Sequence, residues 1–317
     1  MKLCYPLKKS DPTNLVEPIV KYLELSESPQ VAMSFRDNLT KINQLRDKVC
    51  TFELPNNPTI DVLNKFIPAV EMYAKYALML GKHLNWNKDF GPVVNDLKLT
   101  WHDSFNQGIS YTKNEIHYDI FCCFYNIGIM YFHKANILCM EDLINSKKES
   151  IRAAKIAFNL FNQARTVYYP AFQNTGFSDT NHSNLEMLEL LSQGLIYKNL
   201  FNIFKEDEFK LGINNIASIA GEAQKKFYNA YQIGVQFFMK SSNISAQLKS
   251  ELLSFAYVEA LYHDAMFNTK YAKYYREEMD NNKDHIINLI AYERKALRFL
   301  ELGLKNPSVT HLLDNRP

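Results

Sequence analysis

The stretch Leu97–Phe105, LKLTWHDSF, decides how the chain is read. Leu97, Leu99 and Trp101 alternate with Lys98 and Thr100, the period-two pattern of a short, half-buried strand. This predicts a strand over Leu97–Trp101, between a loop at residues 82–96 and a turn. Trp101 is followed by His102 and Asp103, so the same residues raise the question of an acid/base pair. Adjacent residues on one backbone seldom aim at one reacting atom. The plainer expectation is a pair of hydrogen-bonded structural groups.

Outward from this strand, the punctuation is helical. Asp11-Pro12 is placed to open a helix over Thr13–Leu25. Ser28-Pro29 is placed to open another through Phe35, Leu39, Ile42, Leu45 and Val49, apolar residues spaced by three and four. A third carries Val62, Phe66, Val70, Tyr73 and Ala77, with Pro68 inside it. A fourth is expected over Glu115–Cys139. Two S-x-x-E boxes, Ser146–Glu149 and Ser183–Glu186, predict further starts, the first helix reaching Tyr169 and ending at Pro170. Three more helices are expected at about 211–239, 244–280 and 283–304. Only 10 Gly and 11 Pro occur in 317 residues, which favours long helices over turn-rich sheet. Successive hairpins of this length predict a mostly α solenoid with TPR-like helix hairpins and a small sheet toward the N-terminal part. No Gly/Ser-rich or Pro-rich linker interrupts residues 1–317, so a single domain is expected.

Composition narrows the function. The chain is 47% hydrophobic and 22% charged, enough to bury a large core. A net charge of +2 marks no nucleic-acid field. Five cysteines without a CxxC read as reduced, buried thiols, not a disulfide framework. The start MKLCYPLKK has no apolar core of a signal peptide. The longest apolar run, Ile120–Phe132, is interrupted by Asn126 and falls short of the roughly 20 residues of a membrane helix, so it reads as a core helix. Phosphate-loop, dinucleotide, HExxH and GxSxG patterns are absent, and no His/Cys set has zinc spacing. His263-Asp264 reads as structural, Cys122 and Cys123 as packing groups, and Lys205-Glu206-Asp207-Glu208 as a solvated loop. Lys147, Lys148, Arg152 and Lys155 make a basic helix start, mildly unfavourable against the helix dipole, which invites an acidic partner. The residues predict no enzyme, no cofactor, no metal and no small-molecule substrate. A hydrolase without a recognisable motif would be the contrary case.

Seven stretches, in order, resemble one family. Leu7-Lys8-Lys9 with Leu15-x-x-Pro18-Ile19-x-x-Tyr22 is similar to the start of the Bro domain, a module of the ALIX and rhophilin family of ESCRT-associated scaffolds. Phe35-Arg36-Asp37-Asn38-Leu39 with Leu45-Arg46 resembles its RDxLxxLNxLR helix, and Leu99–Phe105 resembles its FTWxDAF stretch. Tyr118-Asp119 through Phe124-Tyr125-Asn126-Ile127-Gly128 resembles its YEKxCVLFNIAAL helix. Phe161-Asn162-Gln163-Ala164, Leu191-Ser192-Gln193 and Tyr262-His263 match FQQA, LAQ and EYH. The likeness covers about residues 3–304.

The resemblance implies an elongated, curved, boomerang-like helical body, with Trp101 anchoring the sheet in the core and Asp103 as a turn or cap residue. Trp101→Ala should then cost roughly 3–5 kcal/mol. It also implies a scaffold whose apolar patch receives the C-terminal amphipathic helix of a Snf-type ESCRT-III subunit in endosomal sorting and multivesicular body formation. By that alignment Ile219 stands at an apolar contact. Asn215 is polar at the contact one turn earlier, with Ile216 beside it. The family aromatic falls on Lys198 or, one residue off, on Tyr197. Lys155 keeps a basic contact and Asn159 stands one turn on. The loop Asn106–Asn114 implies a weak contact with acidic endosomal lipid through Ile109, Tyr111 and Lys113. The expected location is cytoplasmic, with recruitment to endosomal membranes. The altered patch leaves a second expectation, a helical-repeat scaffold for a different peptide in signalling or adhesion.

Overall fold

The computed structural model describes residues 5–55, 57–83, 96–205, 211–277 and 284–305. Residues 84–95 of the expected loop and 206–208 of the charged stretch lie outside them. Among the described residues are nine α-helices longer than one turn: α1 (Val16–Ser26), α2 (Pro29–Cys50), α3 (Ile60–His83), α4 (Ile116–Cys139), α5 (Ile144–Gln163), α6 (His182–Phe204), α7 (Ile213–Lys240), α8 (Ala246–Glu277) and α9 (Asp284–Lys305). They also include two strands, β1 (Leu99–His102) and β2 (Ser110–Lys113). The fold is therefore mostly α with a small sheet, as the periodicities predict. By contacts the chain forms two compact units. Among the described residues, one comprises those within 5–131 and 160–185, the other those within 132–159 and 186–305.

The helix starts show which local signals act. Ser28 is extended and its side chain accepts from Val31 N–H, with Pro29 opening α2, as expected. Asp11-Pro12 does not open α1. Ser10 bridges Trp101, and Asp11 N–H donates to Thr100 carbonyl at 3.1 Å, so this segment is held extended against β1. Asn14 supplies the acceptor at the helix start instead, taking Val16 N–H at 2.9 Å. The Ser146 box is also not a cap, because α5 begins at Ile144 and Ser146 Oγ reaches the Glu141 carboxylate. Likewise α6 begins at His182, and Asn181 accepts from Ser183 N–H. Pro170 does not terminate α5. That helix gives way to a π-helical turn, Ala164–Tyr168, and Pro170 sits at the start of the four-residue helical turn Tyr169–Phe172.

The predicted strand is half of a hairpin. β1 pairs antiparallel with β2 in the register Leu99↔Lys113, Thr100↔Thr112, Trp101↔Tyr111 and His102↔Ser110. The expected loop Asn106–Asn114 is thus largely the turn and second strand. Trp101 is fully buried, as the resemblance implies. Its indole N–H donates to Asp119 Oδ1 at 2.7 Å. That carboxylate also accepts from Arg46 Nε at 3.2 Å, from Arg46 Nη2 at 3.0 Å and from the Tyr73 hydroxyl. Burial, the largest single influence, favours a neutral Arg46, but the Asp119 charge and hydrogen bond together with nearby Tyr73 and Cys50 outweigh it and hold the guanidinium above its ordinary pKa.

A second buried pair lies in the same unit. Lys8 Nζ meets both Asp179 oxygens at 2.8 Å and sits 3.7 Å from the Phe177 ring centre. Asn126, the polar interruption of the apolar run, clamps the Lys8 backbone. Its amide accepts from Lys8 N–H at 2.8 Å and donates to Lys8 carbonyl at 2.9 Å. One glycine shows how tightly the helices approach. A Cβ on Gly128 would come within 2.6 Å of the Phe161 ring, so α4 can seat that ring only where no side chain exists.

Candidate functional site

His102 and Asp103 point to different partners. The His102 ring meets Asp11 Oδ1 at 2.9 Å and Gln107 carbonyl at 3.0 Å. The Asp103 carboxylate turns inward and accepts from Phe105 N–H at 2.8 Å, Asn106 N–H at 3.3 Å and Ser178 N–H. Burial and nearby Asp179 raise its pKa, opposed by Lys8 and these N–H groups. This is a turn-closing side chain, as the resemblance implies, and not half of an acid/base dyad. The second His-Asp pair is also structural. His263 is fully buried and packs on Phe227 and Phe201 at 6.0 and 5.8 Å. Burial pushes its pKa down to about 4, against the pull of Glu259 at 3.7 Å. Cys122 and Cys123 are buried thiols whose pKa burial raises, so neither has thiolate character.

The residues assigned to partner binding fall in the second unit, on α5, α6 and α7. Neighbouring helices lock together there through non-local contacts. Asn199 on α6 donates to Ser150 on α5 at 2.9 Å. Gly194 on α6 accepts the Phe227 ring of α7 where a Cβ would stand only 2.7 Å away. On this frame Ile219 is half-buried and packs on the cluster Phe201–Ile216–Ala220, beside Met266 and Phe267 of α8. Ile216 is fully buried, so it is a floor and not a contact surface. Asn215 is exposed, with its side-chain amide donating to Leu211 carbonyl at 2.7 Å.

Of the basic candidates, Lys155 is exposed on α5, and Asn159 is exposed one turn later. Lys148, Arg152 and Lys155 recur on the solvent side of that helix, making a basic stripe. Lys147 departs from the expected solvated face. It is buried and donates to Glu141 carbonyl at 2.7 Å, just past the end of α4, where unpaired carbonyls need a donor. Tyr197 is half-buried. Lys198 is engaged internally, 2.6 Å from Glu259, with both side chains nearly covered. Its partner lies 61 residues away, and no local signal announces it. Met266 and Phe267 likewise reach the Phe201–Ile216–Ala220 cluster from α8, far along the chain.

The hairpin residues belong to the first unit. Tyr111 is not at a loop tip. It stands on β2 with its ring against Tyr118 and Phe177 at 5.8 and 6.3 Å. Lys113 Nζ lies 5.5 Å from that ring. Ile109 closes the turn, its N–H donating to Asn106 carbonyl and its own carbonyl accepting from Asp103 N–H, both at 2.9 Å. Among the described residues no helix is long and apolar enough to cross a membrane.

The comparisons agree with this architecture. An ALIX BRO1 domain in complex with CHMP4C superposes with a TM-score of 0.76 at 14% identity, covering 97% of this chain and 81% of that one. ALIX in complex with the SIVmac239 PYKEVTEDL late domain gives 0.78 at 14% identity, covering 96% of this chain, which spans only 41% of that protein. A Bro1 domain described as a basis for endosomal targeting gives 0.67 at 14% identity, covering 95% of this chain and 86% of that one. Among curated protein sequences none matches. The profile of the BRO1-like domain matches residues 2–315, nearly the whole chain, and the protein belongs to that family.

Proposed function

We propose that the chain is a non-enzymatic scaffold module that receives the C-terminal amphipathic helix of a Snf-type ESCRT-III subunit in endosomal sorting. The observation that carries this is Ile219. It is an apolar side chain left half-exposed on a rigid Phe201–Ile216–Ala220 floor, in a unit whose α5 displays Lys148, Arg152 and Lys155. An apolar anchor with a basic rim is what a helix with an apolar face and acidic flanks requires. That an ALIX BRO1 domain forms a complex with CHMP4C supports the partner class. In this reading the module is cytoplasmic and is brought to endosomal membranes by its partner. Any lipid contact rests on Ile109 and Lys113, because the Tyr111 ring is already packed. Ile109→Ser should then weaken pelleting with anionic liposomes, and unchanged pelleting removes the lipid contact.

Titration with Snf-type C-terminal peptides tests the main reading. Micromolar binding is expected, with a loss of at least about tenfold in Ile219→Asp. Equal binding by that variant moves the site elsewhere. Lys198 tied to Glu259 and a polar Asn215 favour a second reading, a scaffold for a different peptide in signalling or adhesion. Failure of every Snf-type peptide to bind, with the fold intact, selects it.

A further inference from the structure

An exposed apolar surface lies in the other unit. Helices α1, α2 and α3 enclose an open groove of about 850 Å³. Ile19 and Leu23 of α1 and Leu39 of α2 line it together with two helical stripes. On α2 the stripe runs Val31, Phe35, Ile42, Leu45, and on α3 it runs Met72, Tyr76, Met79. These side chains are not core. Phe35 is 48% exposed, Met72 51% and Met79 50%. Contiguous exposure of this kind marks a binding surface more often than an idle one.

The groove also carries a charge pattern. Lys41, Gln44 and Lys48 line it at spacing i, i+3, i+7, so both lysines stand on one edge of α2. Both are exposed and make no ion pair among the described residues. Glu27 lines the opposite end, next to Val31. From Val31 to Lys48 the groove follows α2 for about 25 Å, at 1.5 Å per residue. A small apolar ligand is normally enclosed over most of its surface, whereas this trough is long and open. Methionines on its wall suit a surface that adapts to another side-chain set.

From the two facing stripes and the lysine edge, we propose that the α1–α3 groove receives an amphipathic α-helix of a partner protein. Its apolar face lies on Phe35, Tyr76 and Met79, and acidic residues in one half meet Lys41 and Lys48. Glu27 at the far end sets the direction, because a helix laid in reverse brings its acidic half against that carboxylate. This surface shares no residue with the Ile219 surface and does not depend on it.

The test uses the full chain and a displayed library of helices of about 18 residues, matched to the groove length. A fixed leucine stripe is flanked by randomised positions. Selection is expected to enrich Asp and Glu on one flank. Binding of the enriched peptide, read by fluorescence anisotropy, should fall about tenfold or more with Phe35→Asp. Lys41→Glu with Lys48→Glu should reverse the preference toward Lys-flanked peptides. Ile219→Asp should leave it unchanged, which keeps this result distinct from the Snf-type titration. Phe35, Lys41 and Lys48 face solvent and Ile219 does so in part, and circular dichroism checks that the variants fold. The proposal is overturned by no enrichment, by enrichment without acidic bias, or by peptides indifferent to Phe35→Asp. Binding of phosphatidylcholine/phosphatidylserine vesicles that alone responds to Phe35→Asp also overturns it and assigns the groove to lipid.

Discussion

Asp119→Asn removes one charge from the centre of the first unit and almost nothing else. The carboxylate takes two hydrogen bonds from Arg46, one from Trp101 and one from Tyr73, and the Arg46 side chain is fully buried. Asparagine keeps the shape and one acceptor oxygen. It presents an NH2 group where a second acceptor stood, so two donors face a donor. Arg46 stays protonated, and its remaining acceptors, Ser10 Oγ at 2.8 Å and Asp11 carbonyl at 3.2 Å, are neutral. A buried charge stripped of its counter-ion costs about 3–5 kcal/mol. For a unit of this size each kcal/mol lowers Tm by about 2–4 °C, so a fall on the order of 10 °C is expected. Thermal unfolding would be followed by Trp101 fluorescence in a Trp86→Phe background, where Trp101 is the one remaining tryptophan. Adding Arg46→Met should recover much of the loss, because the unpaired charge goes and the apolar stem remains. A cycle of the two changes should show coupling of about 1–3 kcal/mol. The reasoning is refuted if Asp119→Asn melts within about 1 kcal/mol of the parent, or if Arg46→Met adds its own full cost to it. The network matters beyond stability. Arg46 follows the groove residue Leu45 on α2, so the same ion pair that seats Trp101 fixes which face of α2 reaches solvent.

Three further outcomes follow from the packing. The folded pKa of His263 is about 4 against an ordinary 6.5, so its neutral form stabilises the fold fully above pH 6.5. That contribution, up to about 3 kcal/mol, is lost as pH falls from 6.5 toward 4. Urea midpoints across this window should fall less steeply in His263→Leu than in the parent, and parallel curves would refute the assignment. Gly194→Ala drives a methyl into the Phe227 ring and should cost about 1–3 kcal/mol in chemical denaturation, with no change meaning that the ring has room to move. Trp101→Ala should cost roughly 3–5 kcal/mol, and a loss below about 1 kcal/mol would deny it the anchoring role.

Much of the architecture was legible because it is local. Apolar spacing of three and four marks α2 and α4 within a few turns, and Ser28 caps α2 through a bond to a residue three positions on. Local signals failed where a distant segment competed for the same backbone. Asp11-Pro12 has the chemistry of a helix start, but β1 claims its N–H first. The Ser146 box fails for a local reason instead, because α5 starts two residues earlier and Ser146 Oγ donates to the Glu141 carboxylate. In the candidate site, Ile219, Asn215 and Lys155 could be placed by resemblance. Burial of Ile216 and capture of Lys198 by Glu259 could not, since both depend on α8 or on helices packed from elsewhere in the chain.

The sequence by itself determined that the chain is mostly helical, that one strand centres on Trp101, and which family its seven motifs resemble. Those follow from side-chain periodicity, caps and short motifs, interactions that close within a few residues. Only the tertiary structure decided that Asp119 answers Arg46 across 73 positions and that Asp179 answers Lys8 across 171. It also decided that Phe35, Ile42 and Leu45, part of the same apolar series as Leu39 and Val49, face a groove while Val49 is sealed in the core. An amphipathic stripe states that a face will be covered. What covers it depends on how many neighbours arrive, and that is settled by contacts far apart in the chain.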